Sequence, residues 1–155
     1  MQAGLKLLLL VATIFAAALG ARYALAQEPG RILPALFEFT DGSNEFVFEL
    51  RDPAKIALAR KYLASQGAEP LRIAGRIAEA PVPHNARWSF HLAPGTVQFF
   101  GASIEVCNAS IHAVQENLAY VGGTFLPGGW WCPWDSRLTR ELSSGQYVTL
   151  SNGQP

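Results

Sequence analysis

The chain is expected to fold as an α+β domain. The prediction is a two-layer sandwich in which two helices cover one face of a mainly antiparallel sheet of about five strands. Three observations lead there. Short segments alternate apolar and polar residues with period two, as half-buried strands do. Two longer segments carry apolar residues at helical spacing behind capping residues. Turn-forming residues separate these segments, and no repeat or linker divides them.

Leu36 to Thr40 and Glu45 to Leu50 alternate apolar and polar residues with period two, and Asp41-Gly42-Ser43-Asn44 between them is turn chemistry, so a hairpin is predicted. Asp52 followed by Pro53 reads as a helix start, with Ile56, Ala59 and Leu63 on one face and an end near Gly67. A second strand pair follows. Leu71, Ile73 and Ile77 alternate with Arg72, Ala74 and Arg76, and Trp88, Phe90 and Leu92 alternate with Arg87, Ser89 and His91. Ser103 to Cys107 offers a further strand with Ile104 and Val106 inside. A second helix is then capped by Asn108 or Ser110, striped by Ile111, Val114, Leu118 and Val121, and stopped at Gly122. Tyr147 to Leu150 is a candidate edge strand.

Lys6, the apolar run from Leu7 to Leu19 and Ala24-Leu25-Ala26 read as an export signal cleaved before Gln27. The run is short of the roughly 20 apolar residues that span a bilayer, so no stable membrane anchor is expected after cleavage. The domain plan is a signal peptide at 1–26, one α+β domain at 27–142 and a polar tail at 143–155, with secretion or a periplasmic location. Without Lys6 and Arg22, ten basic residues face twelve acidic ones. A nucleic-acid partner is not expected, because phosphate binding needs a basic footprint.

An oxidising compartment allows Cys107 and Cys132 to persist as a disulfide, stabilising the fold by on the order of 3 kcal/mol. Neither cysteine has a second ligand at zinc spacing, and His84, His91 and His112 are widely spaced, so no metal and no cofactor are expected.

If the apolar strand positions face the helices, the other face carries Glu38, Glu49, Arg72, Arg76, Arg87, Ser89, His91, Glu105 and Cys107. A Cys107–Cys132 bridge then brings Gly128-Gly129-Trp130-Trp131-Cys132-Pro133-Trp134 beside that face. Trp130, Trp131, Trp134, Arg87, His91 and Glu105 are therefore the candidate binding residues. An irregular segment rich in Gly and Pro does not turn all of its tryptophans inward, and exposed rings stack on sugars or anchor proteins. His91 with Glu105 is the one acid/base pair the pattern offers. Asn108-Ala109-Ser110 fits a glycosylation acceptor.

Several strings are familiar together: Phe37-Glu38-Phe39-Thr40-Asp41, Asp52-Pro53-Ala54-Lys55-Ile56, Arg87-Trp88-Ser89-Phe90-His91-Leu92, Ile104-Glu105-Val106-Cys107-Asn108-Ala109, Phe125-Leu126-Pro127-Gly128 and Trp131-Cys132-Pro133-Trp134. From Phe37 to Leu142 the chain resembles a family of small, often secreted bacterial proteins whose domain is named as the N-terminal domain of a calmodulin-binding protein. The resemblance implies a shared fold and shared use of His91, Glu105 and the two cysteines. Calmodulin itself is not expected as a partner, since the basic helix from Pro53 to Ser65 is short and commits its apolar stripe to the core. The resulting expectation is a secreted or periplasmic, non-enzymatic binding domain for an unknown protein or glycan. The alternatives are a small hydrolase or lyase using His91 and Glu105, and an inhibitor of secreted proteases.

Overall fold

Alternation in the first hairpin becomes a wall of aromatic rings. In the computed structural model, which describes residues 33–65, 71–101 and 105–143, β1 (Ala35–Thr40) and β2 (Glu45–Leu50) pair antiparallel with Phe37 opposite Phe48 and Phe39 opposite Phe46. Residues directly opposite share a face, so all four phenylalanines point the same way, and each is at most 1% exposed. The turn is held by Asp41, whose Oδ1 accepts the Ser43 and Asn44 amides, while Gly42 takes φ +92° without a Cβ penalty.

The expected helix follows as α1 (Pro53–Ala64). Asp52 Oδ1 accepts the Ala54 amide at 2.8 Å, and Ile56 and Ala59 are buried against the phenylalanine wall. β3 (Arg72–Ala78) then opens a second antiparallel sheet. It pairs with β4 (His91–Leu92) near one end, with β5 (Gln98–Phe100) near the other and with β8 (Trp130–Trp131) between. The second helix, α2 (Ile111–Glu116), has Ser110 as its cap, accepting the Ala113 amide at 3.1 Å, and buries Ile111 and Val114. After α2 come β6 (Val121–Gly122) and β7 (Phe125–Pro127), a short parallel pair. β9 (Arg137–Leu142) returns to lie beside β1, completing a three-stranded sheet in the order β2, β1, β9.

Mixed α/β architecture, antiparallel sheets and two helices agree with the sequence reading. A single five-stranded layer does not, because the strands divide between sheets built on β1 and on β3. Three local expectations are also corrected. The strand expected from Trp88 exists only at His91–Leu92, because Pro83–Asn85 forms a 3-10 turn. Asn85, 5% exposed, pins that turn to β2 by accepting the Val47 amide. Of the strand expected at 103–107, the described part, Glu105–Cys107, is a 3-10 turn, where the Cys107 carbonyl accepts the Cys132 amide at 2.8 Å; positions 103 and 104 lie outside the described residues. Val106, which alternation placed inside, is 62% exposed. The second helix ends at Glu116; of the rest of the expected stripe, Leu118 lies in a 3-10 turn, Leu118–Tyr120, and Val121 in the strand that follows it. The segments where an export signal (1–26) and an edge strand (147–150) are expected lie outside the described residues. Among the described residues no helix is long and apolar enough to cross a membrane.

One core spans both sheets. Its centre is Trp131, fully buried, with ring centroids 5.2 Å from Phe46, 5.6 Å from Phe90 and 5.7 Å from Phe39.

Candidate functional site

Period two on β3 decides which side chains reach the surface. Ile73 points into the main core, while Arg72, Ala74 and Arg76 point outward. The outward side is where the cysteines meet. Cys107 and Cys132 are joined in a disulfide with Cα atoms 5.2 Å apart. With Ala74 they form a small second core, against which Phe100, Trp130 and Trp134 pack half-buried.

The three clustered tryptophans therefore have three different fates. Gly128 and Gly129, at φ +66° and +72°, turn the chain so that Trp130 enters opposite Arg76 and Trp131 opposite Gly75. Consecutive strand residues face opposite ways, so Trp131 enters the main core and donates its indole N–H to the Ala109 carbonyl at 2.9 Å. It is a packing residue, and its expected place among the binding residues is corrected by its complete burial. Trp130 stays on the outer face with the Arg76 guanidinium 5.6 Å from its ring centroid, within cation–π range. Trp134 lies beyond the disulfide. Its amide is held by Asn108 Oδ1 at 3.0 Å and its carbonyl by Arg72 Nε at 2.8 Å. Its indole nitrogen is buried without a hydrogen-bond partner among the described residues.

The remaining sequence candidates scatter. Arg87 is on the far side of the β2 hairpin, 3.6 Å from Glu45 and stacked on Trp88. His91 is half-buried, and its Nδ1–H donates to the Ala80 carbonyl at 2.7 Å, which leaves Nε2 as the basic nitrogen of the neutral ring. Its register opposite Ala78 puts it on the Arg76 side of β3. Glu105 sits in the turn that carries Cys107, and its side chain lies outside what is described. Ser89 meets Gln115 of α2. His112 pairs with Glu116 on α2, and among the described residues no group of His, Cys, Asp and Glu is arranged to hold a metal ion.

Two other surface cavities adjoin the outer face of the first sheet, and their charges are largely answered from within. A cavity of about 340 Å³ contains Glu38, gripped by Arg140 through two bonds of 3.0 and 2.8 Å. A cavity of about 610 Å³ contains Glu141, held by Arg60, whose guanidinium keeps that carboxyl below its ordinary range. His84 lines both; burial lowers its pKa, against an opposing pull from Glu49.

The disulfide face is different in kind, since it combines partly buried rings with guanidinium groups that have no carboxylate partner among the described residues. The sequence points to its tryptophans and cysteines but not to Phe100, Arg72 or Arg76 as their neighbours. The signal that does exist for the arginines is their outward register with Ala74.

A family model described as the BP-74 N-terminal domain matches residues 33–145, which takes in every element from β1 to β9 and both cysteines. The chain belongs to the BP-74 N-terminal domain family. No curated protein and no solved structure matches it significantly. Membership in the BP-74 N-terminal domain family covers the disulfide face and both sheets together; the calmodulin-related wording of the sequence resemblance gains no support from it.

Proposed function

We propose that this domain is an exported, non-enzymatic binding module whose recognition surface is the aromatic and arginine face around Cys107–Cys132. The observation that carries the reading is the side-by-side placement of partly buried Trp130, Trp134 and Phe100 on a disulfide-braced platform, with Arg76 over the Trp130 ring. Tryptophan and arginine are the side chains in which binding energy concentrates, and a platform already rigid loses little conformational entropy when a partner arrives. Export is consistent with a crosslink that survives in oxidising compartments. The partner is a protein or glycan presenting a flat, weakly polar face that an indole can cover.

The test is a screen of the full chain against a glycan array and a panel of purified extracellular proteins, followed by titration with intrinsic tryptophan fluorescence. Trp130→Ala is expected to weaken the interaction at least tenfold while leaving far-UV circular dichroism unchanged, because Trp130 stands outside the main core. A ligand bound equally well by that variant would remove the face as the recognition surface.

A further inference from the structure

Next to Trp134 the surface dips into a recess of about 420 Å³, formed where the β1–β2 turn meets the start of β9 and the start of β3. That volume falls in the range of about 300–1,000 Å³ common to small-ligand sites. Resting on the binding-module reading, we infer that this recess is the subsite for a carboxylated sugar, with Arg72 and Arg137 taking the carboxylate, Trp134 the ring face and Asp135 the hydroxyls.

The inference comes from which charges the fold has already used. Asp41 lines the recess but is spent: Oδ1 accepts two turn amides, and Oδ2 accepts the Ile111 amide at 2.9 Å, anchoring α2. Arg72 is fixed in place by two neutral acceptors, the Trp134 carbonyl at 2.8 Å and the Gly101 carbonyl at 3.0 Å. Those bonds orient its guanidinium without neutralising it. Arg137 and Asp135 are exposed, and among the described residues neither makes a salt bridge or side-chain hydrogen bond, to each other or to anything else. The recess thus offers two guanidinium groups without a salt-bridge partner among the described residues, the Asp135 carboxylate with its acceptor positions open, and a partly buried indole; Asp41 keeps its charge but has both oxygens engaged by amides.

Each of these has a complement on one class of molecule. A guanidinium fork matches a planar carboxylate with two parallel bonds. An indole ring covers the C–H face of a pyranose. An unpaired Asp accepts hydrogen bonds from hydroxyl donors. A uronic or sialic acid brings all three features within one residue. An acidic peptide brings carboxylates and amide donors but no pyranose C–H face for the indole, so the sugar is the better fit.

The experiment titrates the full chain calorimetrically with trigalacturonate and with sialyllactose, using the methyl ester of trigalacturonate and a glutamate-rich peptide of equal charge as comparisons. Saturable binding of at least one acidic sugar is expected. Esterification should weaken trigalacturonate at least tenfold, and Arg137→Ala should weaken the bound sugar at least tenfold with an unchanged thermal midpoint. Equal binding of the ester, tighter binding of the peptide, or no binding of either acidic sugar would overturn the inference. The two readings fail separately. A neutral ligand lost in Trp130→Ala but kept in Arg137→Ala preserves the aromatic face and removes the subsite, whereas an acidic sugar lost in Arg137→Ala but kept in Trp130→Ala does the reverse.

Discussion

Trp131 and Ala109 are joined by a 2.9 Å hydrogen bond from the indole nitrogen to the backbone carbonyl, so the largest buried side chain in the core has its one polar atom satisfied. Trp134, three residues along, has the same nitrogen buried and unanswered among the described residues. Replacing Trp131 with Phe removes both a bond and packing volume against Phe39, Phe46 and Phe90. A cost of about 2–4 kcal/mol is expected. Trp134→Phe removes a polar group that gains nothing from the fold and is expected to be neutral within about 1 kcal/mol or slightly stabilising. Urea unfolding of the two variants checks the contrast, and equal losses would contradict it.

Cys107 and Cys132 join the turn after β5 to the segment after β8. Changing both to Ala is expected to cost about 2–5 kcal/mol. The second core of Ala74, Phe100, Trp130 and Trp134 should loosen first, seen as faster amide exchange at Trp130 and Trp134 than at Phe37 or Phe48. Uniform acceleration across both regions would show that the bridge supports the whole fold and not one face.

Glu38 is 8% exposed, and Arg140 meets both of its carboxylate oxygens while Thr139 Oγ1 lies 3.0 Å from one of them. Arg140→Ala leaves a buried acceptor without its charged donor, and a loss of about 1–3 kcal/mol is expected. Arg140 is itself largely exposed, which keeps the cost below that of a fully enclosed pair. Glu38→Gln in the Arg140→Ala background should recover part of the loss, as a double-mutant cycle would measure.

His84 supplies a pH dependence of known sign. Burial holds its folded pKa below the ordinary value of 6.5, so the unfolded chain binds a proton that the folded chain refuses. Its contribution to stability is fully present above about pH 6.5 and is lost as the pH falls through the lowered folded value. His84→Gln should flatten the stability profile below pH 6.5 relative to the wild type. Guanidinium melts at about pH 7.5 and about pH 5.5, on either side of the unfolded value, provide the measurement, and an unchanged slope between them would remove His84 as the source.

Much of this architecture is visible in the chain itself where a local rule acts alone. The hairpin needs only the alternation of Phe37, Phe39, Phe46 and Phe48 with a turn between, and α1 needs only Asp52 and Pro53 ahead of a helical stripe. β9 escapes such reading because the register shifts between Glu38 and Phe39, leaving Thr139 as an extra residue that breaks the period. Leu138 and Leu142, in phase by their spacing of four, consequently face opposite sides of the sheet, although both are buried. The 105–107 turn reads as a strand because a five-residue alternation is too short to distinguish from coincidence, and the disulfide imposes its own geometry. The recess at Arg72 and Arg137 is illegible for another reason. Isolated charges at the starts of two strands carry no local pattern, and they meet only through tertiary folding.

The pairing of β1 with β9 sets a timetable for the newborn polypeptide. Phe39 lies opposite Leu138, so the middle strand of that sheet lacks one of its two neighbours until synthesis has passed β9. Until then β1 presents an open edge, and what has left the ribosome carries a hairpin but no finished sheet.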